Sequence, residues 1–299
     1  MNRQDDPHDA APATVAGHYR RADLVTAIEA AIAAAGKTTG TITAAELAPL
    51  DEFHIGGRAA TAELLRALAP APDDHVLDVG CGLGGAARFA ASSYRCRVTG
   101  IDLTDDYVAA GSAISRWLGV DERVKLLQAD ALDLPFGDAT FDGACLLHAG
   151  MNIRDKTRLF AEVARVLRPG ARLAVYDVMR TQDGELQYPL PWADTPVQSA
   201  LATPEQYRAA LAAAGLDPIA ESDRRGLALE HFARQRAAAR QGGERPPIGL
   251  HVLMGARRDA QVGNMSAAIE HGRVAPYLMI ARKAPAGRQA FRQSRESLL

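Results

Sequence analysis

Three carboxylates and one histidine in this chain fall at positions where strand ends would deliver them to a common ligand. The segment HVLDVGCGLGGAAR (75–88) sets Asp78 in a short apolar stretch and runs into Gly80-Cys81-Gly82-Leu83-Gly84-Gly85. A strand, a glycine turn and an Ala-rich helix let backbone approach a nucleotide-like ligand closely and aim amide N–H groups at it. The glycines fit a dinucleotide fingerprint through Gly80, Gly82 and Gly85, and equally a GxGxG turn through Gly84. The run RVTGID ends at Asp102, 20 residues beyond Gly82. An acid there accepts hydrogen bonds from vicinal ribose hydroxyls. The run VKLLQAD ends at Asp130, where a carboxylate can accept from an exocyclic adenine amine while the N–H of Ala131 meets a ring nitrogen. The run CLLHAG carries His148, a side chain that exchanges protons near neutral pH without a large pKa shift. Cys81, inside the turn, reads as small-residue packing rather than as a nucleophile.

Alternating elements must position these groups. Strands are expected at 75–79, 97–101, 123–127, 141–147 and 172–178, with helices at 84–92, 105–118 and 156–167, the last closed by Pro169-Gly170. Such alternation predicts a doubly wound, Rossmann-like α/β sheet with right-handed crossovers. Ligands then sit outside the carboxyl ends of the strands. Ahead of the sheet, helices are expected over roughly 21–35 and in the run 50–68 after a Gly-Gly turn. Behind it come a Pro-containing loop (180–202), a helix (204–214), a short strand (217–222), two or three helices over 226–272 broken at 242–249, and a closing strand (274–283). The expected organisation is a disordered segment 1–20, one domain 21–285 capped by 180–202 and 226–272, and a polar tail 286–299.

Composition narrows the function classes. A net charge of −2 over 299 residues argues against a nucleic-acid or anionic-membrane partner. The cysteines Cys81, Cys96 and Cys145 are scattered without CxxC or Cys/His spacing, so neither a disulfide framework nor a metal site is expected. The opening MNRQDDPHDAAPA lacks the apolar run of a signal peptide, and no stretch is long and apolar enough to span a bilayer, so the expected location is cytoplasmic.

The ordered set HVLDVGCGLGG, GIDLT, QADALDLPF, FDGACLLH and LRPGARLAVYD resembles class I S-adenosylmethionine-dependent methyltransferases over roughly residues 50–285. The nearest likeness is to the small-molecule branch: natural-product sugar O-methyltransferases, sarcosine/dimethylglycine N-methyltransferases and tocopherol methyltransferases. The resemblance implies seven strands, the last antiparallel and inserted between the fifth and sixth. It implies S-adenosyl-L-methionine as cofactor and S-adenosyl-L-homocysteine as product. Gly80, Gly82 and Gly84 would lie against the methionyl part and ribose, and Asp78 would orient the turn and help hold the amino group. Asp102, with Leu103 beside it, would bind the ribose hydroxyls, and Asp130 with Ala131 would read adenine. In DEFHIGGRAAT, which resembles a turn closing over the cofactor, Gly56, Gly57 and Thr61 are further cofactor candidates.

Methyl transfer from a sulfonium is an in-line displacement, accelerated by holding the acceptor lone pair against the methyl carbon. A hydroxyl acceptor also needs its proton removed, worth roughly 10²–10⁴-fold for a positioned base. His148 is the candidate base. Asp177, ending the neighbouring fifth strand, would fix its tautomer, a His/Asp pair that the sugar O-methyltransferase relatives use at the matching positions. The other reading of the two is that His148 packs beside the cofactor and Asp177 caps a loop. Tyr188, Trp192, His231 and Met254 are candidate walls for a small, largely apolar acceptor, or simply glue between cap and sheet. The expected function is therefore methyl transfer to a hydroxyl or nitrogen of a small metabolite. Transfer to a small amine by proximity alone is the alternative. A nicotinamide-dependent oxidoreductase, which leaves Asp130 unexplained, and a non-catalytic cofactor-binding module stand further off. The helical insertion could equally serve a homodimer.

Overall fold

The computed structural model describes residues 17–19, 23–240 and 245–285. The lead-in over 1–16, the start of the first expected helix at 21–22 and the tail over 286–299 lie outside the described residues. Residues 17–19, expected to be disordered, form a helical turn that packs on the body. The elements follow as α1 (Leu24–Ala34), α2 (Ala44–Asp51), α3 (Gly57–Leu68), β1 (His75–Val79), α4 (Gly85–Tyr94), β2 (Arg97–Asp102), α5 (Asp105–Trp117), β3 (Val124–Gln128) and β4 (Phe141–Leu147). They continue as α6 (Lys156–Val166), β5 (Leu167–Arg180), α7 (Pro204–Ala213), β6 (Leu216–Asp223), α8 (Arg225–Arg240), α9 (Arg258–Glu270) and β7 (Val274–Lys283), with a single helical turn at His251–Met254 between α8 and α9.

The seven strands run in the order β3-β2-β1-β4-β5-β7-β6. β1 to β5 pair in parallel, and β7 lies antiparallel between β5 and β6, as expected. The order reverses at β1, flanked by β2 and β4, so the crevice outside their carboxyl ends is the natural ligand position. Alternation along the strands divides the core. Leu77, Val79, Leu173 and Val175 pack with Leu159, Phe160 and Val163 of α6 and with Tyr207 and Leu211 of α7. Val76, Ala174 and Tyr176 pack on the other face with Leu64, Leu65 and Leu68 of α3 and with Ala87 and Ala90 of α4. That division later decides where Asp177 can point.

Local signals explain most boundaries. Asp155 caps α6 by accepting from the Arg158 N–H, and Thr203, Pro204 and Gln206 form a capping box with Pro in the first turn of α7. Two expectations need correcting. Pro169-Gly170 does not separate helix from strand by a loop: β5 starts at Leu167, and the register against β4 shifts from Phe141↔Leu167 to Gly143↔Arg172, so the Pro-Gly pair is absorbed in an irregularity. Helix α2, which carries Pro49 inside it, lies in a stretch where no element is expected. Its start is nonetheless written in Thr43-x-x-Glu46, a capping box with both reciprocal hydrogen bonds formed.

Candidate active site

A cavity of about 260 Å³ opens at the carboxyl ends of β1, β2 and β4 and extends beneath the helical insertion. The sheet supplies one end of it. Gly80 (φ +72°) leaves β1 in the left-handed region, and a Cβ there would run into the Ala149 side chain, so only glycine fits. Gly80 and Cys81 N–H groups both donate to the Ile101 carbonyl, which ties the turn to β2. The Asp102 carboxylate accepts from the Gly82 N–H at 2.9 Å and from the Thr104 N–H at 2.9 Å, and burial raises its pKa against those bonds. Asp130 accepts from the Leu132 N–H at 2.8 Å. Asp102, Leu103, Asp130 and Ala131 all line the cavity with Asp78, Gly80 and Gly82.

Asp78 is the most polarised group of this end. It is 1% exposed, Oδ1 takes a weak Cys145 Sγ contact at 3.5 Å, and Oδ2 is buried on the cavity wall with no hydrogen-bond partner. Burial pushes its pKa up to about 7. An orphaned carboxylate oxygen carries a cost that a cationic or N–H-bearing ligand group would remove. The Cys81 thiol is pushed far up by burial, which agrees with packing rather than nucleophilic use.

Gly84 does not line the cavity. Its left-handed φ of +81° starts α4, and Leu126 and Arg88 occupy the space beside it. Behind the turn lies a buried ion pair that the sequence reading missed: Arg88 Nη2 donates to Asp51 Oδ1 at 2.5 Å, while Nη1 donates to the Gly111 carbonyl and Ser115 Oγ. Gly57 and Thr61 also stand off the cavity. The Gly57 carbonyl and Thr61 Oγ1 instead meet His54 Nε2, at 3.1 and 3.0 Å.

The other end of the cavity is built by imidazoles and aromatics. His148 takes a left-handed φ of +47°, an arrangement that costs a non-glycine residue about 1–2 kcal/mol and sits at functional positions more often than elsewhere. Its ring stacks on Tyr176 (5.2 Å between centroids, 22°) and meets His54 edge-on at 5.9 Å. Burial first, and His54 after it, hold the His148 pKa well below the usual histidine value. Trp192, held by its Nε1–H donating to Ser199 Oγ, and His231, with Phe232 and Met265, wall the cavity from the loop and cap. Tyr19 closes it from the N-terminal side, its hydroxyl donating to Asn152 Oδ1 at 3.4 Å.

Three expected members are elsewhere. Tyr188 packs under the cap with Leu190 and Trp192 but does not reach the cavity, and Met254 is buried against α1 and α5. Asp177 makes no pair with His148. It lies on the α7 face of the sheet, where Tyr207 donates to Oδ2 at 2.5 Å and the Val178 N–H donates to Oδ1. Tyr176, on which His148 stacks, points to the opposite face, as consecutive strand residues must. Burial raises Asp177 to about 6, opposed by the Tyr207 hydroxyl and then by the Lys156 ammonium. Among the described residues no cluster of three or more His, Cys, Asp or Glu could hold a metal ion, and no helix is long and apolar enough to cross a membrane.

Comparison with known proteins agrees with this geometry. Residues 77–175 match the family described as a methyltransferase domain. An O-methyltransferase, cnsE, of Penicillium expansum is 40% identical over 127 residues, 42% of this chain and 46% of that protein. A sarcosine/dimethylglycine N-methyltransferase of Halorhodospira halochloris is 30% identical over 165 residues, 55% of this chain and 59% of that one. The chain thus spans about half the length of the curated relatives it matches. In fold, geranyl diphosphate C-methyltransferase of Streptomyces coelicolor A3(2), solved with Mg²⁺, geranyl diphosphate and S-adenosyl-L-homocysteine, aligns with a TM-score of 0.63 at 22% identity, covering 76% of this chain and 79% of that one. The [4+2]-cyclase SpnF aligns with a TM-score of 0.67 at 24% identity, covering 92% and 97%.

Proposed function

We propose that this chain, which carries a class I methyltransferase domain of the small-molecule branch, is an S-adenosyl-L-methionine-dependent enzyme that methylates a hydroxyl or nitrogen of a small, largely apolar metabolite. The observation that carries the reading is the two-ended cavity: carboxylates and a glycine turn at the sheet edge, imidazoles and aromatics beneath the cap. The residues at the sheet end fit the cofactor. Asp78 Oδ2, buried without a partner, suits the methionyl ammonium. Asp102 has acceptor capacity left for ribose hydroxyls, and Asp130 with Ala131 suits adenine. Gly80 and Gly82 leave room for close approach, whereas Gly84 supports the helix start behind them. When bound, the cofactor supplies an electrophilic methyl carbon on a sulfonium.

The chain's own residues do the rest. Trp192, Phe232 and Met265 exclude water and hold an apolar acceptor, which favours displacement by fixing approach rather than by new bonding. His148 lacks the Asp177 partner, and its Nε2 is buried without a hydrogen-bond partner among the described residues. Its place in the reading is to wall and orient the acceptor. Label transfer from methyl-labelled S-adenosyl-L-methionine into pooled small metabolites tests the proposal. A labelled product from wild type is expected, with His148→Ala raising the KM for the acceptor more than it lowers kcat. Cofactor binding with no labelled product would count against transfer and towards the kind of departure that a cyclase on this fold represents.

A further inference from the structure

His54 lies in the turn before α3, in a segment the sequence reading connected only with the cofactor, and its surroundings dictate its tautomer. Its Nε2 sits 3.1 Å from the Gly57 carbonyl oxygen, which can only accept. Nε2 also sits 3.0 Å from Thr61 Oγ1. That hydroxyl has a single proton, and it is donated to Glu52 Oε2 at 2.5 Å, so Thr61 must accept from His54 as well. Both contacts require the hydrogen on Nε2. The lone pair is therefore on Nδ1, in a side chain that lines the cavity.

The environment also suits the charge that a proton would bring. Glu52, whose side chain is 1% exposed, lies 3.5 Å from Nε2 and is itself held by Arg58 Nε at 2.5 Å. The groups facing the ring from the surrounding elements are Glu52, Arg58 of α3, His148 after β4, Tyr176 of β5 and His231 of α8. Of these only Glu52 supplies a carboxylate, which is ion-paired with Arg58. Among the described residues His148 has no such neighbour, and the ring of His54 beside it works against its protonation.

We propose that His54 is the catalytic base for a hydroxyl acceptor, taking its proton at Nδ1, and that Glu52 is the positioning residue behind it. The assignment rests on the methyltransferase reading given above and names the residue that makes oxygen an acceptor. The acceptor oxygen's lone pair forms the O–CH₃ bond while the S–CH₃ bond breaks with its pair remaining on sulfur. The sulfonium becomes a neutral thioether, and the hydroxyl proton passes to Nδ1. One positive charge thus moves from the sulfonium to an imidazolium beside Glu52, and the proton leaves to water after product release. Burial lowers the His54 pKa and Glu52 raises it, so the ring is neutral and ready at pH 7.

Two measurements test this. The first needs neither cofactor nor acceptor: ¹⁵N spectra of the imidazoles in the free protein, with His54 assigned by its loss in His54→Gln. A proton on Nε2 and a bare Nδ1 are expected, and a proton on Nδ1 at neutral pH overturns the assignment. The second compares wild type, His54→Gln and Glu52→Gln in label transfer from methyl-labelled S-adenosyl-L-methionine to pooled small metabolites. His54→Gln should keep cofactor affinity and lose roughly 10²–10⁴ in turnover to an O-methylated product, its residual rate rising about tenfold per pH unit where wild type is flat. Glu52→Gln removes the group that raises the His54 pKa, so the acid limb of its pH profile should move to lower pH. A folded His54→Gln with wild-type turnover and profile overturns the proposal while leaving the methyltransferase intact. A wild type that binds no cofactor overturns the parent reading instead.

Discussion

Asp78→Asn should make the ligand-free protein more stable at alkaline pH and the cofactor-bound protein weaker, and the size of the first effect follows from burial. The Asp78 carboxyl goes from 3.8 to about 7 on folding, with desolvation the leading cause. A carboxyl that holds its proton more tightly in the fold than in the unfolded chain loses stability as pH rises between those two values. At 1.36 kcal/mol per unit, the ionised group costs the fold about 4 kcal/mol by pH 8 and about 1.5 kcal/mol at pH 5. Asparagine keeps the shape and removes the titration, so the stability difference between variant and wild type should grow by about 2.5 kcal/mol from pH 5 to pH 8. Urea unfolding of both proteins without cofactor at intermediate pH values reads this directly, and the titration of every other group cancels in the difference. Parallel curves for the two proteins would refute the reasoning. In the same variant the ammonium of the cofactor loses a charged acceptor, which should weaken binding by about 1.5–3 kcal/mol, or roughly ten- to a hundredfold.

Two further substitutions probe the supports of the site. Tyr207→Phe removes the hydroxyl that donates to Asp177 Oδ2 and should cost about 1–3 kcal/mol in thermal or urea unfolding. It should leave cofactor affinity and transfer rate unchanged, because Asp177 faces away from the cavity; a large loss of kcat without destabilisation would restore a catalytic part for Asp177. Arg88→Met strands the Asp51 carboxylate in the interior and should cost about 3–5 kcal/mol, whereas replacing both partners with apolar residues should recover most of that.

The sheet was legible because its signals are local and redundant. Each parallel strand is a short apolar run bounded by turn residues, and the sequence placed β1, β4 and β7 at their observed limits. The same applies to Asp78, Asp102 and Asp130, since a strand's carboxyl end is a position that sequence can specify. Side-chain direction is harder to read. Asp177 was placed on the correct strand end, but pairing it with His148 required the two to share a face. The face is set by counting from Tyr176, whose ring is inward on the α3 side. His54 was missed for a different reason. Its partners Glu52, Gly57 and Thr61 all lie within nine residues, yet the left-handed turn at Gly56 and Gly57 that folds them onto one imidazole has no periodic signature. Helix α2 was also missed, although the capping box of Thr43 and Glu46 marks its start.

The two ends of the cavity are made by different kinds of structure. Asp78 and Asp102 stand on β1 and β2, and Asp130 lies two residues beyond β3, so a ligand held there meets a site fixed by sheet pairing that changes little when the cap changes. His54, Trp192 and Phe232 come from a turn, a loop and an inserted helix, joined by apolar packing and a few side-chain hydrogen bonds. Substitutions in the second group can exchange the acceptor, and even the reaction, without disturbing the first. That separation fits a fold that is shared by proteins of different reactions. The proposed base follows the same division: His54, with the Glu52 carboxylate behind it, belongs to the second group.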